Sequence, residues 1–282
     1  MKYGLVMEGG AMRGLFTAGV TDVLMENGIL FNSSVGVSAG ACFGCNYKSG
    51  QHGRAIRYNL RFRNEKKYCS WSSLIKTGDM FGAEFCYHTI PEKLDIFDNE
   101  SYNSNPMTFF VVATDINTGK AVYHNCHTAT GEDLDWIRAS ASMPLVSRIV
   151  KINDREFLDG GITDSIPLRF MESIGMDKNV VILTQPRGYV KTQSRTINLM
   201  KIWYNRKYPK LVKALENRPK MYNEELNYIN EAEKAGRAFI IAPPEKLPIG
   251  HVEHDMEKLL EVYRIGRNTA NQKLAELKNF LG

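Results

Sequence analysis

The sequence predicts an α/β fold: a sandwich of helices around a mostly parallel sheet, followed by a helical C-terminal extension. Three observations carry this reading. Short runs rich in β-branched and aromatic residues recur along the chain, the best being Thr108–Asp115 (TFFVVATD). Stretches of helical periodicity separate them, as in folds built on parallel strands. The chain ends in a long amphipathic segment, Asp255 to Leu281, with Met256, Leu259, Leu260 and Tyr263 in register.

The elements follow in order. Residues 2–7 (KYGLVM) read as a short buried strand. Glycines follow, then a helix from about Arg13 to Asn27, with Leu15, Val20, Val23 and Leu24 on one face and Gly28 as its stop. Ser34–Val37 is a second strand that turns directly into small residues, Ala39 to Gly44, suited to a tightly packed helix. Residues 51–98 read as mostly helical with polar breaks. There Arg54, Arg57 and Arg61 share one helical face and are expected to be solvated. After Thr108–Asp115, Asn117-Thr118-Gly119 supplies a turn and Ala121–His124 a returning strand. Leu134–Ser140 is a short helix that stops before Pro144, and Val150–Leu158 a hairpin turning at Asn153-Asp154. Val180–Leu183 and Phe239–Ala242 complete the strands, and Pro243-Pro244 ends the last. A composition shift at Pro186 divides the chain into residues 1–185 and a mainly helical extension, residues 186–282.

Composition narrows the function classes. Of 282 residues, 43% are hydrophobic and 24% charged, ordinary globular usage. No run approaches the ~18 apolar residues of a membrane span. The N-terminus MKYGLVMEGG lacks the apolar core of a signal peptide. Five scattered cysteines read as reduced thiols, so a cytoplasmic location is expected. The net charge of +5 is unevenly spread: Pro186 to Lys220 holds ten basic residues against Glu216 alone. Such asymmetry marks a surface that meets an anionic membrane or nucleic acid. No nucleic-acid-binding module is visible, so no nucleic-acid partner is expected.

Three glycine motifs could carry chemistry. Gly36-Val37-Ser38-Ala39-Gly40 is a G-x-S-x-G between a strand and a helix, where a strained serine needs neighbours that do not crowd it. Its other reading is an ordinary glycine-rich turn. Glu8-Gly9-Gly10-Ala11-Met12-Arg13-Gly14 also leaves a strand for a helix, and its glycines let backbone N–H groups converge on an anion. A plain tight turn or a nucleotide loop would look similar, although no G-x-G-x-x-G or G-K-[ST] is present. Arg13 stands near the positive end of its helix, which suggests that it serves an anionic group. Asp159-Gly160-Gly161 places an acid at a strand end with backbone close by. Among the six histidines, chain order leaves only His251 and His254 as partners of a Ser…Asp…His triad, and both read as a solvated helix start. Cys42 and Cys45 read as small core residues rather than a redox or zinc pair.

Taken together and in this order, these motifs resemble the patatin-like phospholipase family, over about residues 1–185. That family pairs a G-G-G-x-[RK]-G loop with a G-x-S-x-G elbow and a later D-G-[GA]. Ala139-Ser140-Ala141-Ser142-Met143-Pro144 resembles the A-S-x-x-x-P segment before its aspartate. The resemblance implies a patatin-like three-layer α/β/α sandwich with residues 1–185 as catalytic domain. It also implies a serine acyl hydrolase that cleaves lipid carboxylic esters, with Ser38 as nucleophile and Asp159 as general base and acid. Gly9, Gly10, Ala11, Arg13 and Gly14 would form the oxyanion hole, with Gly36, Gly40, Gly160 and Gly161 supporting the motifs. No cofactor and no metal are expected. Ala11 stands where the family has a third glycine; it still donates its N–H, but it is strained if φ must be positive. A soluble carboxylesterase or thioesterase, and a non-catalytic anion-binding module, remain as alternatives. Residues 187–220 interleave Trp203, Tyr204 and Tyr208 with basic residues. They read either as a peripheral contact with an anionic membrane at its inner face or as a solvated helical face with packed aromatics.

Overall fold

The computed structural model describes residues 1–282. Strand β1 (Tyr3–Met7) leads through a 3-10 turn (Ala11–Arg13) into α1 (Gly14–Glu26), and β2 (Ser33–Val37) into α2 (Ala39–Lys48). Then come α3 (Arg54–Phe62), α4 (Trp71–Thr77), a π-helical segment (Phe85–Leu94) and α5 (Asn99–Ser104). Next are β3 (Thr108–Asp115), β4 (Lys120–Asn125), α6 (Glu132–Ser140), β5 (Val150–Ile152), β6 (Arg155–Asp159) and α7 (Leu168–Ser173). The chain finishes with β7 (Lys178–Ile182), α8 (Ile197–Tyr204), α9 (Pro209–Lys234), β8 (Ala238–Ile241) and α10 (Met256–Leu281).

The eight strands form one sheet, ordered β5-β6-β3-β2-β1-β7-β8 with β4 paired to β3. It is mixed: β3, β2, β1, β7 and β8 run parallel, whereas β4, β5 and β6 join by antiparallel pairing. The period-2 alternation of strands assigns the two faces. Leu5 and Met7 pack into the larger core with α1, α2 and α10, while Val6, Val35, Val37 and Val112 pack into a second core with α7 and α9. Helices therefore cover both faces of the sheet.

Residues from beyond 186 complete this sheet. β8 pairs in parallel with β7, Val180 opposite Phe239. α10 crosses α1 so closely that a Cβ on Gly19 would stand 2.2 Å from the Tyr263 carbonyl oxygen, and one on Gly266 2.1 Å from that of Phe16. Covered in this way, α1 is buried from Gly14 to Leu24 and is not the one-faced helix its sequence suggested. Asp255 caps α10, its carboxylate accepting from the N–H groups of Glu257 and Lys258. No helix is long and apolar enough to cross a membrane.

One expectation fails here. Arg54 is buried, not solvated: it pairs with Asp95 at 3.2 Å and donates to Asn46 Oδ1 at 2.9 Å, while Arg57 grips the same Asp95 through two hydrogen bonds. Both arginines find Asp95 more than thirty residues away, out of reach of local pattern.

The turn after β2 depends on the absence of side chains. A Cβ on Gly40 would stand 2.3 Å from the Met7 carbonyl oxygen, and one on Gly36 2.4 Å from the Gly40 carbonyl oxygen. Backbone atoms cannot swing aside as a side chain would. Gly40→Ala is therefore expected to destabilise the protein by about 3 kcal/mol, read as a lowered urea midpoint; an unchanged midpoint would show that β1 and α2 can separate freely.

Candidate active site

The sheet register brings Ser38 and Asp159 together. β2 pairs with β3 as far as Val37 opposite Val112. β6 pairs with β3 from Ala113 onward, Asp159 opposite Ala113. β4 overlaps both stretches of β3, from Phe110 to Asp115, and so must occupy the opposite edge. β2 and β6 therefore share one edge of β3 end to end, and Ser38 and Asp159 meet at the junction. Residues 140–142 clamp it: the Ser38 N–H donates to Ser140 Oγ at 3.0 Å, and the Asp159 N–H to the Ser142 carbonyl at 2.8 Å.

Ser38 sits at φ 55, ψ −119, a conformation that side chains rarely adopt. Such a residue carries about 1–3 kcal/mol of strain, held in place by its surroundings. Its position before α2 aims the first N–H groups of that helix toward the serine. The loop of residues 9–13 lies directly against it, since a Cβ on Gly9 would stand 2.8 Å from Ser38 Cβ. The N–H groups of Gly9 and Gly10 donate to no protein acceptor. The Gly14 N–H is spent on the Ala11 carbonyl, so Gly14 serves as a close-packing residue against Ala39 rather than as a donor. Ala11 has φ 49, the left-handed region where alanine is strained and glycine is not.

Asp159 is buried, and burial raises its pKa above the ordinary 3.8 even though Arg218, Ser38, the Gly161 N–H and Lys191 pull it down. Its Oδ1 accepts from the Gly161 N–H at 2.8 Å. Ser38 lies near enough to stabilise the carboxylate, without a hydrogen bond of regular geometry between them. Glu8 is likewise buried and raised by burial; it accepts from Tyr222 Oη at 2.5 Å and from the Thr184 N–H at 2.6 Å. The loop after Asp159 is tied to α9 by Glu225, which accepts from the Ser165 and Ile166 N–H groups. Burial raises the pKa values of both Glu225 and Asp164, and the neighbouring Asp164 carboxylate raises that of Glu225 further.

A cavity of about 110 Å³ opens beside Ser38, lined by Cys42, Phe43, Tyr58, Tyr68, Phe81 and Tyr87 among others. α2, α3 and the π-helical segment build its wall. Cys42 faces the cavity and Cys45 the core; burial pushes their thiols up to about 12 and about 11, which disfavours the thiolate. His124, Cys126 and Asp133 lie within metal-ligand distance of one another, but His124 already binds Asp133 at 2.6 Å and the Cys126 thiol is pushed well up by burial.

No histidine bonds to Ser38. His254 donates through Nδ1 to the Arg63 carbonyl at 2.5 Å, and His88 meets Glu92. His251 is not part of a helix start. It lies in the loop before α10, where desolvation, and then the charge of Arg13, Arg218 and Lys191, lowers its pKa. Sequence reasoning missed Lys191 and Arg218 as site residues. They are two of the ten basic residues between Pro186 and Lys220, and no local signal separates those that turn inward.

A family model described as "Patatin-like phospholipase" matches residues 5–171, and one described as a domain of unknown function, DUF6363, matches residues 208–282. The uncharacterised protein YjjU of Escherichia coli is 26% identical over 99% of this chain and 79% of its own length. Lysophospholipase NTE1 of Meyerozyma guilliermondii is 24% identical over 98% of this chain, which spans only 19% of that protein. The crystal structure of VipD from Legionella pneumophila aligns with 98% of this chain and 67% of its own at a TM-score of 0.49 and 12% identity.

The raised pKa of Asp159 has a consequence for stability. A carboxyl whose folded pKa lies above its unfolded value favours the fold at low pH, and that contribution is lost as pH rises through the folded pKa. Asp159→Asn removes this loss. The variant is expected to gain stability relative to the unmodified protein as pH rises above the ordinary carboxyl value of 3.8 toward the raised folded value, measured as the difference in urea midpoints. A difference that shrinks as pH rises would mean that the neighbouring cations outweigh burial.

Proposed function

The chain belongs to the patatin-like phospholipase family and is, at the level of that family, a hydrolase of lipid ester bonds; on that premise we propose that Ser38 and Asp159 act as a dyad working through an acyl-enzyme. Ser38 Oγ attacks the ester carbonyl as Asp159 takes its proton. The carbonyl oxygen gains negative charge, and the free N–H groups of Gly9 and Gly10, with Ala11, face that charge. The alcohol leaves with the proton from Asp159. Water then attacks the acyl-enzyme, again losing its proton to Asp159, and Ser38 is restored. A carboxylate is a weak base in water, and burial strengthens it. The single observation that carries the reading is the junction of β2 and β6 on β3, which sets a strained serine beside a buried carboxylate.

The lysophospholipase relatives and the apolar cavity support a lipid acyl chain as the group that Ser38 accepts. Residues 186–282 act in this reading as an extension packed on the catalytic part. They also support contact with a membrane surface. On α8, Leu199, Ile202 and Trp203 are exposed, the last two by 79% and 70%, and Arg195, Arg206, Lys210 and Lys213 lie close in sequence. On α4, Trp71 and Ile75 are exposed. Both helices border the loop that follows Met143 of the cavity wall: the Leu145 N–H donates to Tyr204 Oη, and Arg148 lies against Gly78 at the end of α4. An apolar patch ringed by cations suits an anionic bilayer, from which a lipid could enter the cavity.

Labelling with a fluorophosphonate probe tests the nucleophile. One adduct is expected on the unmodified protein and none on Ser38→Ala, read by intact mass. Asp159→Asn is expected to fold and to lose turnover by about 100- to 10,000-fold. No adduct on folded protein, or full turnover in Asp159→Asn, would overturn the dyad.

Vesicle flotation tests the surface. Binding is expected to require anionic lipid, to fade with salt, and to fall about tenfold or more in Ile202→Ser Trp203→Ser. Equal binding of the variant would remove α8 as the anchor.

A further inference from the structure

One face of α9 touches both loops of the site. Arg218, Tyr222 and Glu225 are spaced i, i+4 and i+7, which sets them on one side of the helix. Arg218 Nε donates to the Gly161 carbonyl at 2.6 Å, and the N–H of that same glycine donates to Asp159 Oδ1 at 2.8 Å. Glu225, two turns on, accepts from the Ser165 and Ile166 N–H groups at 3.2 and 3.1 Å. Tyr222, between them, donates to Glu8 Oε1 at 2.5 Å, one residue before the donor loop. All three belong to the segment beyond residue 186, whereas Ser38 and Asp159 lie in the part before it.

Arg218 also bears on the charge of Asp159. A Cβ on Gly161 would stand 3.1 Å from Asp159 Oδ1 and 3.4 Å from Arg218 Nη2, so carboxylate and guanidinium flank one glycine. Asp159 is buried, where a neighbouring charge is felt more strongly than in water. Burial raises its pKa, and Arg218 leads the groups that lower it, ahead of Ser38, the Gly161 N–H and Lys191. The Cys42 thiol of α2 faces Asp159 as well, and Arg218 itself faces Lys191 and His251. A carboxyl held out of water with no cation nearby would keep its proton and could not act as a base. A guanidinium bound to the adjacent carbonyl supplies that charge without covering the carboxylate. Asp159 Oδ1 is taken by the Gly161 N–H, and Oδ2, which accepts no regular hydrogen bond, stays open to the Ser38 proton.

We propose that Arg218 is a positioning residue for Asp159: by gripping the Gly161 peptide from α9 it orients the carboxyl toward Ser38 and sets a positive charge beside it. The inference rests on the dyad reading above. Arg218 touches neither substrate nor the reacting atoms and acts through Gly161. The helical extension then supplies a working part of the active site, and turnover requires it.

The test is the pH dependence of kcat/KM for para-nitrophenyl butyrate. Its acid limb reports protonation of the base in the free enzyme. Arg218→Gln removes the charge, so the limb is expected to move to higher pH, and kcat to fall about tenfold to a hundredfold with KM little changed. Arg218→Lys keeps a charge but has a methylene where Nε stands. It is expected to keep the limb of the unmodified protein and to lose only kcat. A merely structural role would lower activity alike at every pH, so a limb that stays in place in Arg218→Gln would overturn the proposal. Should Arg218→Gln fail to fold, Arg218→Lys carries the test, and an unaltered kcat there would overturn the anchoring role. A double-mutant cycle of urea midpoints, Arg218→Gln against Asp159→Asn, needs no turnover and separates this inference from the dyad. Coupling between the two, alongside full turnover in Asp159→Asn, would uphold the pairing of Arg218 with Asp159 while the dyad fails. Additive midpoint changes would overturn the pairing itself.

Discussion

The site depends on how one edge of β3 is divided. β2 uses the edge as far as Val112 and then leaves it, and β6 takes over at Ala113. Because a ladder position holds one residue, the end of β2 and the end of β6 must meet there. Ser38 and Asp159 are the residues that meet, although 121 positions separate them in sequence. The hairpin of β5 and β6, antiparallel in a sheet whose centre is parallel, exists to reach this slot. A fully parallel sheet would have brought β6 in from the other end and pointed Asp159 away.

Much of the surrounding structure holds a costly arrangement in place. Ser38 has an unfavourable backbone, Ala11 another, and Asp159 and Glu8 are carboxyl groups out of water. Each is offset by neighbours that would have little purpose otherwise. Ser140 and Ser142 fix the backbone of both proposed catalytic residues, Tyr222 and Thr184 satisfy Glu8, and Glu225 holds the loop after Asp159. Strain and desolvation concentrated at one place are what a preorganised site requires, at the expense of stability.

The last hundred residues are more than an appendage in structural terms. β8 adds the final strand, α10 buries α1, and α9 carries Tyr222, Glu225 and Arg218 to the rim of the site. One segment so joins three tasks: closing the sheet, buttressing the loop after Asp159, and setting charge around it. Its basic character, conspicuous in composition, is divided between an outward face near α8 and an inward group of Lys191 and Arg218.

The sequence alone determined the features whose physics is local. The glycine motifs were legible because a strained serine and a tight βα turn each demand residues without side chains within a few positions. Thr108–Asp115 and the Asn153-Asp154 turn were legible because β-branched runs and positive-φ residues act on their own backbone. What it could not give is set by contacts distant along the chain. Arg54 looked solvated because Asp95 lies forty-one residues on; α1 looked one-sided because α10 is more than two hundred residues away; Lys191 and Arg218 looked like their basic neighbours. Periodicity records which residues leave water, but the direction in which a charge turns depends on the partner that the fold brings to it, and only the tertiary structure decides that.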